Sequence, residues 1–174
     1  MNRIRLILAV KYTVYLTALL ILYVLQTTPG LFAIYGIRPM LVVPAAMAIA
    51  MYEGEFVGGF YGAFAGLLCD IASNMLFGFN GLFIASFCIV AGLMVIYLMH
   101  RNVWNAMLYV FIAMLVRGSL EFFLVYGMWG YDYVWRIYLH HTLPLIAYTT
   151  AVAPLMFWLV HIIHGKARKQ LTRA

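Results

Sequence analysis

Charge is what this sequence has least of. Only 9% of its 174 residues are charged, five acids against eleven Lys and Arg, while 67% are hydrophobic. An ordinary soluble domain is about 45–50% apolar and about 25% charged, so this chain lacks the polar material to cover a core in water. No hydrophilic domain, low-complexity tract or internal repeat breaks up the apolar runs, and the mean hydropathy is +0.99. The composition points to one integral membrane domain over 1–174, all-α in class.

Other absences narrow the function. The two cysteines, Cys69 and Cys88, both lie in apolar runs and read as buried thiols, not as a disulfide or a metal site. There is no G-x-S-x-G elbow, H-E-x-x-H pair or phosphate-binding loop. A non-enzymatic protein is therefore expected, with no catalytic, metal or cofactor residues. His161 and His164, near His100, and the pair His140–His141 have no acid or thiol placed to complete a metal shell and read as interfacial residues. Glu53 and Glu55, in the turn YEGE, read as solvated loop charges. Arg3 and Arg5 precede an apolar stretch too long for a signal peptide and without a cleavage site, so that stretch is expected to stay as an anchor.

A bilayer core of about 30 Å asks for roughly 20 apolar residues per helix. Six spans are expected, at 6–25, 37–52, 56–73, 81–99, 104–126 and 142–163. The second is short. Pro39 suits its first turn, and Pro44 is expected to bend or break the helix beyond it. With both termini inside, the cytoplasmic face holds Arg3, Arg5, Arg101, Lys166, Arg168, Lys169 and Arg173, with Lys11 snorkelling toward them, while the outer face holds only Arg38 and Arg136. Trp104, Trp129 and Trp135 fit interfacial belts, and the aromatic stretch 126–141 reads as a short segment lying on the outer surface.

Within this apolar background two patterns stand out. Gly58, Gly62 and Gly66 recur every fourth residue and leave one face of a helix bare, and the next step on that spacing is Asp70. Small residues let helices approach closely in lipid, so the ladder suits packing within the bundle or docking of a partner helix. Asp70, Arg117 and Glu121 form the second pattern, an intramembrane charge cluster in the outer half. An unpaired charge there costs at least about 2.5–3.5 kcal/mol, so mutual pairing or a polar site is expected. Arg117 and Glu121, four apart, share a face, and Asp70 is the expected inter-helix partner of Arg117. Exchange of Asp70 for Asn is expected to be mild, because Glu121 still balances the Arg.

The run G58-x-x-x-G62-x-x-x-G66-L67-L68-x-D70, with G78-F79-N80-G81-L82 after it, resembles the rod shape-determining protein MreD family. So do the small size, the anchor ending in Q26-T27-T28-P29 and the basic C-terminal tail. The resemblance implies a scaffold of the bacterial inner (cytoplasmic) membrane, serving rod-shape maintenance and peptidoglycan synthesis. Its implied partner is MreC and, through it, MreB filaments, RodA and penicillin-binding proteins, besides membrane lipids; no nucleic acid is implied. It also implies the six-helix architecture of the substrate-binding subunits of energy-coupling-factor vitamin transporters, and such a subunit is the alternative function. Those subunits commonly carry A-x-x-x-A on the first helix; here that helix has Ala9, Thr13 and Thr17, and Ala46-x-x-x-Ala50 falls on the second.

Overall fold

A computed structural model describes residues 2–30, 37–72, 77–98, 100–124 and 138–172. Among the described residues six α-helices carry the fold, with no strand. They are α1 (Asn2–Thr27), α2 (Val42–Glu53), α3 (Glu55–Ala72), α4 (Phe79–Tyr97), α5 (Val103–Phe122) and α6 (Leu143–Thr172), the last entered through a π-helical turn, Tyr138–Thr142. Five of them are long and apolar enough to cross a membrane, and α2 is shorter. The aromatic stretch 126–141 lies outside the described residues except for 138–141, as do Trp129, Trp135, Arg136 and Arg173.

The short second helix is the centre of the bundle. Every residue from Val42 to Met51 is buried, and α2 packs against α1, α3, α4, α5 and α6. A helix that is apolar all round belongs inside, and VVPAAMAIAM has no polar face to offer. The helix starts at Val42, later than the expected span 37–52, so Pro44 falls in its first turn, where a missing N–H breaks no intrahelical bond. Pro44 therefore opens the helix and does not bend it. At twelve residues α2 is about 18 Å long, short of the bilayer core. Its first amides are satisfied from a distance: Leu41 N and Val42 N both donate to Gln26 Oε1, at 2.9 and 3.2 Å.

One residue separates α2 from α3. Gly54 takes φ +92°, a left-handed conformation that lets the chain reverse at once. The glycine ladder of α3 then faces the bundle. A Cβ at Gly58 would collide with Ala50 of α2, and one at Gly62 would stand 2.8 Å from Cys88 Cβ of α4. One at Gly66 would collide with the backbone of Asn80 and Gly81. The approach is reciprocal, since a Cβ on Gly92 of α4 would lie 2.7 Å from Glu55 N. Helices this close gain dispersion contacts along their whole length, which is the main attraction available between helices in lipid.

The outside is equally apolar. Phe56 is 86% exposed and Leu82 76%, and Phe60, Trp104 and Trp158 also face outward. Apolar exposure on this scale fits a surface that lipid covers. At the far end, α6 runs on through the basic segment to Thr172, so what reads as a tail after 163 is largely a continuation of the helix.

Candidate functional site

Two polar clusters interrupt the apolar interior, one at each end of the bundle. Asp70, at the C-terminal end of α3, is buried. Its Oδ1 accepts from Asn80 N at 3.1 Å and from Asn80 Nδ2 at 2.9 Å, and its Oδ2 accepts from Gly78 N at 3.0 Å and Gly81 N at 3.1 Å. Those amides open α4, so the acid at the end of the glycine ladder caps the next helix. A carboxylate suits the place twice over, as acceptor for otherwise orphaned N–H groups and as a negative charge at the positive end of the helix dipole. Gly78, at φ +94°, sets the left-handed turn that aims these amides at it.

Arg117 of α5 is 3% exposed and holds Glu121 through Nη2 at 3.2 Å, one turn along the same helix. Its link to α4 is Nε donating to Asn80 Oδ1 at 2.6 Å. Asn80, fully buried, thus stands between the two ionised residues, receiving from Arg117 and giving to Asp70. The three predicted charges do gather in one place, but the expected pairing of Asp70 with Arg117 is relayed through an amide. Asn80 has the donors and the acceptor needed to serve both sides, which a carboxylate or a cation does not. Sequence reasoning misses this residue. The available signal is an Asn inside an apolar run, two residues after the turn glycine that starts a helix.

A cavity of about 210 Å³ adjoins this cluster, lined by Met40, Arg117, Gly118, Glu121 and Phe122 on one side and His141, Thr142, Leu145 and Ile146 on the other. One guanidinium nitrogen, Arg117 Nη1, is buried without a hydrogen-bond partner among the described residues. α5 and α6 are held close beside the cavity by Gly118, where a Cβ would come within 2.9 Å of Thr142 Cγ2.

The opposite end is built around Glu53, which closes α2. Its side chain is only 7% exposed, so it is no solvated loop charge. Oε2 binds Lys11 Nζ at 2.6 Å, and Oε1 binds both Tyr15 OH and His164 Nδ1 at 2.8 Å. Lys11, itself buried, does not snorkel to the surface: it turns inward to the acid. His164 belongs to the same hub, and His161 meets Tyr52 OH through Nδ1 at 2.9 Å. One carboxylate thereby fastens α1, α2 and α6 together. Among the described residues no group of three His, Cys, Asp or Glu side chains is placed to hold a metal ion.

The two clusters do different things chemically. The hydrogen bonds that Asp70 accepts serve the start of a helix, and those around Glu53 tie one helix to another. When the chain is set against known proteins, no family model, no curated protein and no solved structure matches it.

Proposed function

We propose that this chain is a non-enzymatic scaffold of the bacterial inner membrane, of the MreD type, which serves cell elongation and peptidoglycan synthesis through MreC. The observation that supports the reading is the use made of the motif residues. Gly58, Gly62 and Gly66 admit neighbouring helices, and Asp70 receives the amides of Gly78, Asn80 and Gly81. On this reading the run on which the resemblance rests acts as a packing and capping unit that joins α3 to α4. An apolar body with most of its basic residues toward one side suits a platform for bitopic partners.

On this reading both termini face the cytoplasm, since most basic residues then fall on the inner side. Affinity purification after gentle detergent extraction tests the function. The scaffold reading expects MreC and wall synthases to co-elute. An ATPase pair in their place would favour a transporter subunit and sink the scaffold.

A further inference from the structure

We propose that the groove between α1 and α6, at the Glu53 end of the bundle, binds one anionic phospholipid of the bilayer, with its phosphate at Lys166. The inference goes beyond the scaffold. It needs only that the chain spans a membrane, and it stands whether or not MreC is the partner.

The two helices supply the charge. α1 and α6 contain no acid, yet they carry Arg3, Arg5, Lys11, Lys166, Arg168 and Lys169, all toward this end. The acid that reaches them is Glu53 of α2, and both its oxygens are taken, one by Lys11 and the other by Tyr15 and His164. Lys11 is thereby neutralised. Lys166, on the wall of the groove and exposed, has no ion pair among the described residues. Glu55, the other acid near this end, opens α3 and lies outside the groove. The groove therefore offers a cation with no carboxylate on its wall, and basic pockets between membrane helices of this kind suit anionic head groups.

Shape selects an amphiphile. Ile7, Val10 and Val14 of α1 line one side and Ile162 and Ile163 of α6 the other, with Lys166 and Gln170 further along α6. On α1 the spacing 3, 7, 10, 14 puts Arg3 on the same face, one turn beyond Ile7. On each side, then, an apolar stretch lies deeper and a basic residue follows it toward the helix end, the order of an acyl chain and its head group. Val10 is 52% exposed, so the groove is open along its flank. Its volume of about 230 Å³ is below the roughly 300–1,000 Å³ of pockets that enclose a whole ligand, so it takes the upper part of one lipid.

Depth and charge together narrow the class. Counted from Leu143, Lys166 lies about 35 Å along α6, more than the roughly 30 Å of a bilayer core, which brings its ammonium to the head groups. A zwitterionic lipid offers the same phosphate with a cation beside it, which the surrounding Arg3, Arg168 and Lys169 disfavour. An anionic lipid carries no such cation.

The test uses the purified full chain in detergent, titrated with phosphatidylglycerol and with phosphatidylcholine of the same acyl chains, and read by native mass spectrometry. One saturable site that prefers phosphatidylglycerol is expected, and inorganic phosphate should not compete for it. Lys166→Gln should weaken that site about fivefold, the effect of one basic residue at a lipid surface. Arg101→Gln is the control. It removes a charge from the same end of the bundle, where Arg101 lies over the Tyr52 ring and outside the groove, and should change affinity less than about twofold. Val10→Trp fills the groove from an exposed position and should remove the saturable site; if that variant fails to fold, Lys166→Gln against Arg101→Gln still decides. Equal affinity for the two lipids would overturn the proposal. So would equal losses in Lys166→Gln and Arg101→Gln, competition by inorganic phosphate, or a saturable site that survives in Val10→Trp.

Discussion

The carboxylate of Asp70 meets backbone amides eight to eleven residues further along the chain, while that of Glu53 meets side chains 42, 38 and 111 residues away. The first is local and finishes a helix. The second is global and closes the bundle, tying the first and last helices to the central one. Some fifteen residues of α3 separate the two ends, about 22 Å along the axis. The contrast shows how few polar groups a membrane bundle needs, and that similar acids can serve opposite purposes. One shapes the α3–α4 hairpin; the other decides whether α1 and α6 stay attached.

That contrast can be broken by substitution. The largest effect is expected for Glu53→Ala, which strands the buried Lys11 without its counter-charge. Removal of one partner from a buried pair costs about 3–5 kcal/mol, and the loss should appear as a marked fall in melting temperature in detergent. Full stability in that variant would show that α1 and α6 are held by apolar packing alone. Asp70→Asn comes next, and the structure revises the expectation of a mild change. An amide presents one acceptor oxygen and an NH₂ group, so one pair of the amides now bound to Oδ1 and Oδ2 would face a donor. With hydrogen bonds to charged groups worth about 1.5–3 kcal/mol each, a clear loss is expected, read as a lower melting temperature and faster amide exchange at the start of α4.

Gly62→Leu tests the hairpin without touching either acid. Its side chain would have to displace Cys88, and overpacking of this kind costs about 1–3 kcal/mol, so folded yield should fall. His164→Gln is expected to matter least, because the ring is 20% exposed and Glu53 keeps Lys11 and Tyr15. A melting temperature close to that of the parent chain would agree with this ranking; a fall as large as that of Glu53→Ala would make the histidine the main fastener.

The same contrast explains what is legible in the sequence. Spacing of four is a local rule, so counting alone places Gly58, Gly62, Gly66 and Asp70, and the Arg117–Glu121 pair, on helix faces. Asn80 and Gln26 escape it, because a neutral amide in an apolar stretch carries no periodic signal, and its partners are fixed only when helices assemble. Glu53 is misread for the same reason. Its turn looks solvated until α1 and α6 arrive, though Lys11, a cation deep in an apolar span, already needs an acid at its own level. Pro44 in the short α2 suggests a break, where the helix's unbroken apolar surface is the better guide.

The separation into a local and a global cluster can be tested most directly by paired substitutions, with melting followed in detergent for Asp70→Asn, Arg117→Ala and Glu53→Gln, singly and in pairs. Asp70 and Arg117 share Asn80, so their combined loss should fall short of the sum of the singles by about 0.5–3 kcal/mol. Asp70 and Glu53 lie at opposite ends and share no partner among the described residues, so their losses should add to within about 0.5 kcal/mol. Additivity of the first pair, or strong coupling of the second, would contradict the account.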